Sequence, residues 1–182
     1  MKVTKVKFPA ASTLQVSDYD YSDSYQGKFY DAENSIGLGD IGKAFFASAP
    51  GWTKFLFALR NKIVPIFGLK VPDTGKSPEE IAENFSFEPN ESMGLFKVFA
   101  RTEKEVIMGE DDQHLNFRIS LLKEADPTEK AMKNLTISTT VEFNNRFGKL
   151  YFLPVKPFHQ LIVSAMLKRT IKQIGKRENS RH

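Results

Sequence analysis

The sequence predicts an α+β fold, and three observations carry that prediction. Apolar residues recur at helical spacing from Trp52 to Ile63 and again beyond Pro157, whereas from Leu95 to Leu153 they recur at every second position. Short polar turns separate the alternating stretches, which suits antiparallel hairpins rather than long crossovers. No strand–helix–strand unit repeats along the chain.

Taken in order, residues 1–20 are polar and aperiodic and read as an arm laid on the surface. Ser24 to Tyr30 forms a first strand, with Tyr25 and Phe29 as its larger side chains. Two short helices follow. The first begins at Ile41 behind Asp40 as N-cap and ends before Pro50. The second carries an apolar stripe at Trp52, Phe55, Leu56, Leu59 and Ile63 and is stopped or bent by Pro65. Leu69 to Asn90 holds three prolines and a small helical piece near Glu79 to Glu83.

Five strands are then expected: Leu95–Arg101, Glu105–Met108, His114–Leu122, Leu135–Asn144 and Leu150–Leu153. In the third, Leu115, Phe117, Ile119 and Leu121 alternate with His114, Asn116, Arg118 and Ser120; in the fourth, Leu135, Ile137, Thr139, Val141 and Phe143 share one side. Such alternation implies one buried and one wet face, the habit of an antiparallel sheet. Pro157 opens the last helix, where its missing N–H costs nothing. Val163, Met166, Leu167, Ile171 and Ile174 form its apolar stripe, facing the sheet, and Lys168, Lys172 and Lys176 form a ridge on the far side. Residues 177–182 read as a loose basic tail.

At 182 residues the chain fits a single domain, residues 1–182, with 41% hydrophobic and 26% charged residues. The absence of cysteine excludes disulfides, thiol nucleophiles and thiolate metal sites. Residues 145–182 contain nine Lys or Arg against one Glu, a net of +8, so the remainder carries −4 of the total of +4. That basic end contains no aromatic residue beyond Lys168 on which bases could stack, so no nucleic-acid partner is expected. No run is apolar and long enough for a secretory signal or a bilayer span, which implies a cytoplasmic protein without integral membrane association.

Several motifs suggest chemistry on weak grounds. Gly37-Leu38-Gly39-Asp40-Ile41-Gly42 matches the dinucleotide fingerprint, but no parallel strand follows and Pro50 cuts the helix short, so a loop and N-cap is the better reading. Gly75-Lys76-Ser77 lacks the first glycine of a phosphate loop, since Lys70 stands there. Glu110, Asp111 and Asp112 with His114 could act as acid and base or hold a metal, yet Asp is also favoured in tight turns for local backbone bonding. Only three histidines exist, and no G-x-S-x-G is present. No catalytic residue, metal or cofactor is assigned on these grounds.

The segments F-F-A-S-A-P-G-W and L-R-N-K-I-V-P-I-F-G-L-K (within 45–70), G-E-D-D-Q-H-L-N-F-R-I-S (109–120) and F-N-N-R-F-G-K-L-Y-F-L-P-V-K-P-F-H-Q-L-I-V-S-A-M-L (143–167) resemble an uncharacterised bacterial domain-of-unknown-function family. That family is placed in the START-like, birch-allergen-like (SRPBCC) superfamily. The resemblance implies a helix-grip fold, in which a curved antiparallel sheet wraps a long C-terminal helix and the gap often holds an apolar compound. It implies a binding domain for a small apolar or amphipathic ligand; a cyclase, dehydratase or hydrolase in the same gap, or a protein-interaction module, are the alternatives. It transfers no catalytic residue, and the oligomeric state stays open. His159 lies about 40° from Val163 on the helical wheel, inside the apolar stripe. It is either a core histidine bonded to a strand or a polar anchor acting with Trp52 or Arg101 on a ligand's carboxylate or hydroxyl.

Overall fold

A computed structural model describes residues 2–14, 19–48, 85–93 and 96–179. Among these, the strands are β1 (Val3–Lys5), β2 (Tyr21–Tyr30), β3 (Ser92–Met93), β4 (Phe96–Arg101), β5 (Glu105–Asp111), β6 (Leu115–Ala125) and β7 (Met132–Phe143). The helices are α1 (Leu38–Ala47) and α2 (Arg146–Asn179). The strands make one sheet in the order β1-β2-β7-β6-β5-β4-β3, every neighbouring pair antiparallel. The class is α+β, and the long C-terminal helix packs on one face of the sheet. The second expected short helix, with Trp52, lies outside the described residues.

Strand parity decides which side chains meet the helices. Tyr25 and Phe29 of β2, Leu135 and Ile137 of β7, Leu121 of β6 and Met108 of β5 all join the core under α1 and α2. From α2 come Val163, Leu167, Ile171 and Ile174, each no more than 5% exposed. Burying such side chains stabilises by roughly 1.5–3 kcal/mol each. Gly27 lies between Tyr25 and Phe29 on this face because α2 passes close: a Cβ there would sit 2.5 Å from Ile171 Cδ1.

Four expectations are corrected. Leu150–Leu153 is not a strand, and Pro157 does not open the last helix: α2 already begins at Arg146 and carries Pro154 and Pro157 inside it. An interior proline removes a backbone hydrogen bond and normally costs about 3 kcal/mol. Here both prolines are exposed, as are Leu150 and Leu153, whose carbonyls lose their partners on the solvent side of the helix. Phe152, buried with Tyr21 and Val141, holds that half of the helix to the sheet.

Nor is the second face of the sheet wet throughout: Ser22, Lys28, Tyr30 and Glu142 at its ends are exposed, but its centre is covered. Ser24, Thr136, Ser138 and Ser120 point away from α2 yet are at most 1% exposed. Ser24 Oγ donates to Ser138 Oγ at 2.8 Å and Gln26 to Thr136 Oγ1 at 3.0 Å. Beyond β1 the chain crosses this face toward β5, where Ser12 Oγ (2.5 Å), Thr13 N (2.6 Å), Thr13 Oγ1 (2.6 Å) and the Ser120 hydroxyl all donate to the buried Glu105 carboxylate. Finally, the N-cap of α1 is Gly37; Asp40 stands three residues inside and accepts the Gly37 N–H at 3.2 Å.

Candidate functional site

Alternation along β2 places Tyr21 and Asp23 on the α2 side, in register with Val141 and Thr139 of β7. The α2 helix brings His159 and Gln160 down onto them. Tyr21 donates its hydroxyl proton to Asp23 Oδ2 at 2.5 Å, and Gln160 Nε2 donates to the Tyr21 oxygen at 3.1 Å. His159 Nε2 stands 3.5 Å from Asp23 Oδ1; the Asp23 side chain is fully buried and that of His159 is 17% exposed.

Three polar atoms here are buried without a hydrogen-bond partner: Asp23 Oδ1, His159 Nε2 and Thr139 Oγ1. Each such atom forfeits about 1–3 kcal/mol of solvation, more for a charged group. The local field is visible in the phenols. Burial, then the hydrogen bond to Asp23, pushes Tyr21 well above the ordinary tyrosine range, and burial with the Asp23 charge also raises Tyr25.

An aromatic cluster apart from the main core surrounds this polar group. Tyr21 and Phe152 rings lie 4.9 Å apart and Phe143 and Phe152 rings 5.5 Å apart, with Val141 beside them. His159 meets the Tyr21 ring edge-on at 6.1 Å. The polar groups at this seam between β2, β7 and α2 are one carboxylate, one imidazole, one hydroxyl and the Tyr21–Gln160 pair, with the Lys156 ammonium 5.2 Å from the centre of the Tyr21 ring. Two open depressions, of about 460 Å³ beside Asn34 and Lys104 and about 530 Å³ beside Gln26 and Gly175, lie elsewhere and include none of these groups.

Of the residues singled out in the sequence, His159 faces the sheet, but at mid-helix rather than at a helix N-terminus. Arg101 is engaged elsewhere, donating to Glu88 at 2.6 Å and to the Ser86 carbonyl at 2.7 Å. Trp52 and Gly75-Lys76-Ser77 lie outside the described residues. Asp111 pairs with Arg118 at 2.7 Å, and the Arg118 guanidinium also stacks 3.6 Å from the centre of the Phe99 ring. His114 contacts Asn145 at 3.1 Å and the Phe147 ring. Among the described residues no three acidic or histidine side chains converge on a metal position. Gly42 of the fingerprint serves packing, since a Cβ there would overlap the Phe87 ring.

Asp23, Tyr21, Thr139 and Gln160 escaped the sequence reading. Placing the strand start at Ser24 hid Asp23 and Tyr21, although both share parity with Tyr25 and Phe29. Thr139 stood in plain view within the stripe Leu135, Ile137, Thr139, Val141, a hydroxyl on an otherwise apolar face.

A family model described as "Protein of unknown function (DUF2867)" matches residues 15–166. No curated protein and no solved structure matches the chain.

Proposed function

The chain belongs to the DUF2867 family of proteins of unknown function, a membership that carries no activity, and from the geometry of the seam we propose that it is a binding domain for a small amphipathic molecule. The single observation that carries this reading is the buried trio Asp23 Oδ1, His159 Nε2 and Thr139 Oγ1, none of which makes a hydrogen bond although the first two stand 3.5 Å apart, beside an aromatic cluster. A hydroxyl or amino group suits them best: it can donate to Asp23 Oδ1 while Thr139 or His159 meets its lone pairs or remaining protons. A carboxylate is disfavoured next to Asp23. The apolar body would lie along Phe152, Phe143 and Val141. Entry requires the first half of α2 to shift outward, and Pro154 and Pro157 remove two of the hydrogen bonds that resist such bending. An antiparallel sheet packed on a long C-terminal helix is compatible with a START-like helix-grip fold, and SRPBCC kinship is part of the same proposal.

An enzyme of cyclase, dehydratase or hydrolase type is the second reading. It rests on the 3.5 Å approach of Asp23 to His159, in which a carboxylate can orient an imidazole for proton transfer.

Native mass spectrometry of the freshly purified protein, followed by extraction, tests the binding reading. We expect a retained compound bearing a hydroxyl or amine on an apolar body. His159→Phe should lose that compound while its melting midpoint changes little. A His159→Phe protein that is destabilised yet keeps full occupancy would rule out the anchoring role.

A further inference from the structure

The outward face of α2 has its own chemistry. Leu150, Leu153, Phe158 and Leu161 are 64%, 61%, 49% and 64% exposed. Their spacing of three, five and three residues sets them on one helical stripe about 140° wide, which the exposed Pro154 and Pro157 complete. Farther along, the same stripe changes character: Lys168 and Lys172 occupy it, both exposed, with Arg169 alongside. Exposed Lys149 and Lys156 flank the apolar half. No Asp or Glu occurs between Arg146 and Arg177. The buried stripe of the same helix, from Phe152 to Ile174, is already spent on the sheet.

We propose that this face of α2 docks the protein on an anionic lipid surface, the apolar half entering the interface and the basic half lying among the headgroups. A row of large apolar side chains bordered by Lys and Arg is the chemistry of an interfacial helix, in which partial burial of the first and attraction of the second act together. Charge favours lipid over a second copy of the chain. A second α2 has no acidic residue between Arg146 and Arg177 to meet Lys168, Arg169 and Lys172, whereas an anionic headgroup layer supplies the counter-charge. Docking is peripheral, since no helix among the described residues is long and apolar enough to cross a membrane.

Co-sedimentation of the full chain with vesicles of phosphatidylcholine containing about 30% phosphatidylserine tests this. Binding should exceed that to pure phosphatidylcholine by at least about tenfold and weaken as salt rises to about 0.5 M. The doubly substituted Leu153→Ser/Phe158→Ser protein should lose about tenfold in binding, and so should Lys168→Glu/Lys172→Glu, each with an unchanged thermal melt because all four positions are exposed. No binding to the anionic vesicles, equal binding to neutral ones, or binding that survives both pairs of substitutions overturns the proposal. So does a dimer in analytical ultracentrifugation that Leu153→Ser/Phe158→Ser dissociates, because the apolar stripe would then be a contact between copies.

Discussion

A carboxylate as deeply buried as Asp23 ordinarily collects several donors; here it holds the Tyr21 hydroxyl and an imidazole at 3.5 Å, and one oxygen has no hydrogen bond. The Tyr21 proton is what makes that arrangement tolerable, because a phenolate beside Asp23 would place two negative charges in an apolar seam. The native state therefore holds this proton at pH values where an unfolded tyrosine, near pH 10, has released it. Since the folded form then binds more protons than the unfolded one, stability falls as pH rises above about 10. In an alkaline titration followed by tyrosinate absorbance, Tyr21 should ionise last or only on unfolding. Tyr21→Phe should remove that late component; its persistence would show that Tyr21 is not the shifted group. His159 was legible in the sequence because it stands four residues before Val163 on one stripe. Asp23 was not, because a polar residue at a strand start looks the same whether it faces water or a helix.

Among the elements, the strands with strict alternation were legible within a few residues: His114–Leu122 became Leu115–Ala125 and Leu135–Asn144 became Met132–Phe143. The first half of α2 was not, because Pro154 and Pro157 read locally as a boundary, whereas packing of Phe152 and Val155 near Tyr21 and Phe143 decides in favour of helix. Phe152, Val155 and Val163, with His159 on the same stripe at intervals of three, four and four, were the available signal. The outer sheet face misled for a different reason. Serine and threonine on a strand look solvated until something covers them, and what covers them here is held by one carboxylate. Glu105 accepts hydrogen bonds from Ser12, Thr13 and Ser120, bonds of the charge-assisted kind worth about 1.5–3 kcal/mol each. Glu105→Ala should therefore destabilise the fold by several kcal/mol, roughly 2–4, and expose the arm. Limited trypsin digestion should then cut after Lys7 far faster than in the parent protein. An unchanged rate at Lys7 would mean that Glu105 does not hold the arm.

At the scale of the whole molecule, among the described residues α1 and α2 cover one face of the sheet, and the segment after β1 lies on the other, where Ser12 and Thr13 reach Glu105. The apolar interior is split: a large core lies under α1 and the second half of α2, and a smaller aromatic cluster lies under the first half of α2. Asp23, Thr139 and His159 belong to the smaller cluster's end of the seam. Stability alone gives no reason to keep a buried threonine hydroxyl there unbonded, since valine has the same shape and as high a strand preference. Equilibrium urea denaturation of ligand-free Thr139→Val protein puts this most directly. If the hydroxyl is held open for a bound molecule, the substitution removes an unsatisfied buried group and should stabilise the free protein by about 1 kcal/mol, while lowering the amount of compound retained on purification. A Thr139→Val protein that is less stable than the parent, or that retains its compound in full, would contradict a binding site at Asp23, His159 and Thr139.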